Sequence, residues 1–218
     1  MNTALMIYNL VTLLHRIEEG RIKVPAFQRA FVWNKKDIVE LIKSVYNGYP
    51  IGVLIFLQSK ERILETANSS LTGFPDTPEE YPITYVIDGT QRLSALYNCF
   101  YWKSLDEPSD FNIIFDFDKG DFIHFRKTNL PKNYIHLSSI FSSERFIDTI
   151  RALRTVNSDN LLEAATNLHY KFQDYQISAM EIIESNINDV IKMFVSLNTS
   201  AKTLTKAELS KARSQLKE

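Results

Sequence analysis

Asp88, Gly89, Gln91 and Arg92 lie within five positions in Val86-Ile87-Asp88-Gly89-Thr90-Gln91-Arg92-Leu93. An apolar, strand-like run over 83–87 stops at Asp-Gly. A helical pattern with Leu93, Leu96, Tyr97 and Phe100 on one face follows. A glycine turn at such a junction lets backbone N–H groups point at an anion, and the helix N-terminus adds its positive dipole end. Arg92 brings a planar fork of donors suited to phosphate. Asp88 has the chemistry to hold a metal ion or accept from a hydroxyl. The junction therefore reads as a phosphate or nucleotide site. A plain strand-turn-helix connection is the competing reading, because Asp-Gly is a common turn.

A second polar pair favours the first reading. Gln28-Arg29 follows Pro25 in an extended segment flanked by Phe27, Phe31 and Trp33. Buried arginine is rare unless paired, so the structural alternative is an Arg29–carboxylate pair pinned under the aromatics. Two other features read as structural. Lys35-Lys36 lies in the first turn of a helix, where a solvated face is the expected role. Cys99 reads as a small buried hydrophobe on the helix after the junction.

The remaining elements follow from caps and periodicity. Asn9 is expected to cap a helix running to Glu19, with Leu10, Leu13, Leu14 and Ile17 on its inner face and Gly20 ending it. The apolar run over 4–14 reads as an amphipathic segment. Residues 22–24 are extended before Pro25. Asn34 and Asp37 form a capping box for a helix with Ile38, Leu41, Ile42 and Val45 buried. Residues 52–57 read as a strand, 59–82 as a surface excursion, and 112–117 with 122–125 as a hairpin turning at Gly120. Helices are expected over 142–154 and 158–172, then a strand over 175–182. A further helix over 186–197 should end in an Asn198-Thr199-Ser200 turn, before a last helix capped by Thr205 and Glu208. This is an α+β order with no regular βαβ repeat.

Bulk properties narrow the function. The 218 residues are 44% apolar and 23% charged, enough for a real core. A net charge of −1 provides no global basic field, so any contact with DNA must be local or made through a partner. One cysteine excludes an intramolecular disulfide and a cysteine-based zinc site. The histidines, His15, His124, His136 and His169, are scattered. No basic leader with a cleavage site and no run of ~20 apolar residues is present. A soluble cytoplasmic protein without a membrane partner is expected.

Three blocks in order, VPAFQRAFVW, YVIDGTQRLSAL and MFVSLNTSAKTLTKAEL, resemble the DGQQR-motif family found at the N-terminus of GmrSD-type, modification-dependent restriction proteins and related phage-defence enzymes. They run from about Val24 to Leu209. The resemblance implies a ParB/sulfiredoxin-like fold, a small mixed sheet with flanking helices. It also implies a core over 1–140 carrying both QR motifs and a mainly helical extension over 141–218 packed on it. It further implies a pocket that binds and hydrolyses a nucleoside triphosphate with Mg2+, with DNA cleavage by a separate nuclease domain or partner.

Carried over residue by residue, Gln28 and Arg29 match the first block. Asp88, Gly89, Gln91 and Arg92 match the second, and Asn198 and Thr199 the third. On this reading Arg29 and Arg92 neutralise phosphate oxygens and Gly89 allows close backbone approach. Gln91 orients a water or phosphate oxygen, Asp88 positions the magnesium ion or polarises the water, and Asn198 meets a base or sugar edge. Thr90 stands where the family has Gln, so turnover or nucleotide preference is expected to change. Ser200-Ala201-Lys202 replaces a glycine-containing stretch, and Lys202 could add a phosphate contact. No nuclease signature accompanies these blocks. The alternative function is a DNA- or protein-binding module whose nucleotide site is structural or vestigial. A ParB-like CTP clamp is the weaker third reading, since no basic helix-turn-helix is apparent.

Overall fold

A computed structural model describes residues 2–101, 109–125, 133–154, 159–183 and 187–201. Among them are eight strands and seven α-helices in two sheets, the α+β class expected. The larger sheet runs in the order β1 (Asn2–Asn9), β8 (Gln176–Ile183), β3 (Leu54–Ser59), β4 (Ile83–Asp88), β2 (Ile22–Lys23). Its pairs alternate antiparallel and parallel from β1 to β2, so it is mixed. The smaller is antiparallel, β6 (Asp121–His124), β5 (Ile113–Asp116), β7 (Tyr134–His136).

The period of two along each strand sorts side chains onto two faces. Phe56, Val86, Ile177 and Ala179 join one buried cluster with Leu10, Leu14, Ile38, Ile42, Leu96 and Phe172. These come from α1 (Leu10–Glu18), α2 (Lys35–Tyr46), α4 (Thr90–Tyr101) and α6 (Asp159–Gln173). Leu57, Ile83, Tyr85, Ile87 and Ile182 join a second cluster with Phe27 and with Val190, Ile191 and Phe194 of α7 (Ile187–Ala201). Covered on both faces, β4 therefore reads as a nearly continuous apolar run.

Local signals held where they were local. Asn9 accepts from Val11 N–H, and the Asn34–Asp37 capping box is formed. Gly120, with φ +65°, turns the hairpin. Two expectations were incomplete. The apolar N-terminal run is not one amphipathic segment: residues up to Asn9 form β1, held by β8 more than 160 positions later in the chain, and only then does α1 begin. The strand expected over 175–182 is present as β8, an inner strand of the main sheet. The helix expected to stop at Leu197 runs on to Ala201, because the weak turn preference of Asn-Thr-Ser does not end a helix already docked on the sheet. Thr205, Glu208 and Lys202 lie outside the described residues.

The excursion over 59–82 is irregular but not idle. It contains α3 (Ser69–Thr72), buries Leu64 and Phe74, and bridges to the chain after β2 at Pro25–Thr66. α5 (Ser143–Arg154) completes the helices.

Candidate functional site

The Pro25–Trp33 segment is held as a defined loop by its neighbours. Ala26 N–H donates to Glu65 C=O (2.8 Å), Ala67 N–H to Val24 C=O (2.7 Å) and Phe31 N–H to Leu71 C=O (3.0 Å). The Phe27 ring packs on Phe194 of α7 at 4.8 Å. Beneath the loop, β2 pairs with β4 only at Thr84 and Tyr85. Buried carbonyls need donors. Past that point the Gln28 side-chain amide takes over, donating to Ile87 C=O (2.9 Å) and Val86 C=O (3.2 Å).

The second motif answers the first in kind. Gln91, buried on α4, accepts from Val32 N–H (2.8 Å) and donates to Ala30 C=O (3.1 Å). Each glutamine thus satisfies backbone groups beside the other's motif.

Arg92 ties the start of α4 to the turn before β3. Its Nη1 donates to Ile51 C=O (2.7 Å), and its Nη2 to Val53 C=O (3.1 Å) and to the Asp88 carboxylate (2.9 Å). Gly52, at φ +87°, lies under the guanidinium, and a Cβ there would sit 2.6 Å from Nη1. Gly89 has φ +96°, and a Cβ would meet Leu54 at 2.2 Å. Only glycine suits this strand-to-helix turn.

These residues wall a cleft of about 170 Å³, lined by Gln28, Arg29, Trp33, Asp88, Gly89, Thr90, Gln91 and Arg92. The structure thus brings all seven candidates from the first two blocks together. Arg29 is partly buried, and among the described residues no hydrogen-bond or ion-pair partner faces it. No Arg29–carboxylate pair is formed among the described residues. Leu93 N–H donates to Gly89 C=O (3.0 Å), so α4 begins on a residue with no side chain to cap it. The N–H groups of its first turn have no partner within the helix. Thr90 is buried, and its hydroxyl has no hydrogen-bond partner. With Asp88 neutralised by Arg92, the unbalanced charge of the cleft is positive: Arg29 and the α4 dipole.

Among the described residues Asp88 is the only acidic group lining the cleft. Among the described residues no cluster of three or more His, Cys, Asp or Glu side chains could hold a metal ion. The backbones of Asn198 and Thr199 lie in α7, one turn beyond the docked Phe194. Their side chains lie outside the described residues. Cys99 is buried, and burial pushes its thiol up. No described helix is long and apolar enough to cross a membrane.

Sequence reasoning passed over three contributors. Trp33 lines the cleft, although it was legible only as one of several aromatics. The carbonyls of Ile51 and Val53 that hold Arg92 leave no trace in residue type. Gly52 does, as the glycine of a Pro-Ile-Gly turn.

An uncharacterised protein of Methanocaldococcus jannaschii is 33% identical to this chain over 97 residues, which is 43% of this chain and 17% of that protein. The chain thus spans a minor part of that relative's length. Residues 10–215, carrying both halves of the cleft, match the family described as the N-terminal domain of GmrSD restriction endonuclease, and the chain belongs to that family.

Proposed function

We propose that this domain is the nucleotide-responsive part of a cytoplasmic DNA restriction system. It would bind the phosphates of a nucleoside triphosphate in the Arg29–Thr90 cleft and signal to a nuclease domain or partner that cuts DNA. The observation that carries this reading is Arg29, a cation with no partner among the described residues, lining one cleft with an uncapped helix N-terminus and the buried hydroxyl of Thr90. A guanidinium, first-turn N–H groups and a hydroxyl together make a donor set that suits a phosphate.

The cleft is sized for phosphate groups, smaller than the ≈ 300 Å³ at which whole-ligand pockets begin. The sugar and base would lie beyond it. One carboxylate with phosphate oxygens and water is an ordinary donor set for Mg2+. Asp88 would supply that carboxylate, through the oxygen that Arg92 does not engage. Magnesium would add charge neutralisation between phosphates.

Isothermal titration with the four NTPs and Mg2+ tests the proposal. Binding by wild type and its loss in Arg29→Ala is the expected result. Absence of heat with every nucleotide rejects it.

One observation favours binding without turnover as a second reading. Gln91, the residue suited to orient an attacking water, already holds Val32 and Ala30. Phosphate release at wild-type concentrations that saturate binding separates the two.

A further inference from the structure

Among the described residues the main sheet ends at β1, and this edge lacks the usual safeguards. Its eight residues, Asn2–Asn9, contain no charge and no proline. Natural edge strands are commonly blunted by those residues. The backbone pattern shows which groups are on offer. Asn9 faces Gln176 in the β1–β8 register, and the next residue, Leu10, donates N–H to Tyr175 C=O at 2.9 Å. Antiparallel hydrogen bonding alternates along a strand. Even-numbered residues therefore bond to β8, and Thr3, Leu5 and Ile7 turn N–H and C=O outward.

The side chains beside this open ladder are apolar and exposed. Leu5 is 70% exposed, Ile7 64%, and Met180, which faces Leu5 across the register, 40%. Their face is the one that α7 covers farther along, over Ile182.

We propose that β1 pairs with β1 of a second copy, antiparallel about a two-fold axis at Met6, joining two five-stranded sheets edge to edge. An isologous contact requires a patch complementary to itself, and Asn-Thr-Ala-Leu-Met-Ile-Tyr-Asn is. Thr3 meets Asn9 of the second copy, Ala4 meets Tyr8, Leu5 meets Ile7, and Met6 meets Met6. Polar faces polar, small faces large, apolar faces apolar, and no charged side chain belongs to the strand itself.

This symmetry of the side-chain pattern selects a second copy over an unrelated strand, which the backbone groups alone would not. A net charge of −1 leaves little repulsion between copies. Leu5, Ile7 and Met180 make a small exposed apolar patch, short of the roughly 800 Å² per partner of standard interfaces. The dimer is therefore concentration-dependent and of modest affinity.

Sedimentation velocity from low micromolar to several hundred micromolar protein tests this. Wild type should pass from monomer to dimer. Leu5→Lys combined with Ile7→Lys, both solvent-facing in the monomer, should weaken association at least tenfold while leaving circular dichroism and the denaturation midpoint unchanged. Met6→Cys should cross-link as a covalent dimer under mild oxidation. The native thiol, Cys99, is buried and gives none. Tyr49→Cys, exposed elsewhere, serves as the control. A wild-type monomer at every concentration, or a dimer that the double lysine variant leaves intact, overturns the proposal. A dimer that Met6→Cys fails to cross-link overturns the register.

Discussion

The two walls of the cleft differ in how their arginines are used. On the α4 wall, Arg92 is held by two backbone carbonyls and Asp88, with Gly52 pressed against it. On the loop wall, Arg29 has no such partner among the described residues. Both follow a glutamine in similar motifs, Gln28-Arg29 and Gln91-Arg92, and both glutamines donate to or accept from backbone. Recurrence of a motif therefore does not mean recurrence of a role. One wall is a joint that closes the strand-to-helix turn, and the other carries a cation with no partner among the described residues, the group proposed to meet a phosphate.

The largest effect expected from this difference is on stability, at Arg92. Arg92→Ala removes the donors of Ile51 and Val53 and leaves Asp88 without its counter-charge. Hydrogen bonds involving a charged group contribute roughly 1.5–3 kcal/mol each. A loss of about 3–4 kcal/mol is expected, read as a lower urea midpoint with an unchanged slope. If Arg92→Ala is as stable as wild type, the joint is misassigned and the two walls are alike.

Acid should destabilise the protein from outside both walls. His136 lies on β7 in the smaller sheet, its Nδ1 buried without a hydrogen-bond partner. Burial, aided by the charge of Arg145, pushes its pKa down from 6.5 to about 4. Between those values the unfolded chain takes up a proton that the folded one does not. This stability is complete above pH 6.5 and falls as the pH drops toward 4, by up to about 3 kcal/mol. His136→Gln should flatten that part of the stability profile. Because the cleft is not involved, wild type and Arg29→Ala should decline in parallel. Divergent curves would mean that Arg29 has a structural partner after all.

Gln91 tests the joint more gently. Gln91→Ala leaves Val32 N–H and Ala30 C=O without their side-chain partner, at a cost of about 2 kcal/mol. Gln91→Glu keeps the acceptor for Val32 but cannot donate to Ala30 while ionised, so it should fall between alanine and wild type. Denaturation of the three proteins under one condition ranks them.

Much of this was legible in the sequence, and the boundary has a physical cause. Features that depend on a few neighbouring residues were readable: the Asn34–Asp37 box, the Asn9 cap, the Gly120 hairpin, and the strand-to-helix turn at Asp88-Gly89. The meeting of two motifs about 60 positions apart was legible only through resemblance of the whole pattern. What a polar side chain faces was not legible. Gln28 and Gln91 have the right chemistry for a ligand, but β2 ends early and the loop needs anchoring, so backbone groups claim both. β1 failed for the same reason in the opposite sense. Its partner, β8, is remote, and nothing within residues 2–9 distinguishes an edge strand from the approach to a helix.

The smallest effect on stability and the largest on binding should coincide at Arg29. Substitutions of surface groups that make no defined contact usually change stability by less than about 0.5 kcal/mol, and Arg29→Ala should stay within that range. Its removal should nevertheless weaken binding of inorganic triphosphate or an NTP at least tenfold, equivalent to about 1.4 kcal/mol. Arg29→Lys should recover the charge but not the planar fork, and so only part of the affinity. Raising salt should weaken wild type more than Arg29→Ala, because a partly exposed cation interacts through a screened field. The pair of alanine variants then decides what the comparison means. Arg29→Ala folded but unable to bind, beside an unstable Arg92→Ala, is the signature of one joint and one ligand contact. The opposite pattern would make Arg92 the phosphate residue, released from its carbonyls when the ligand enters, and Arg29 an ornament of the loop.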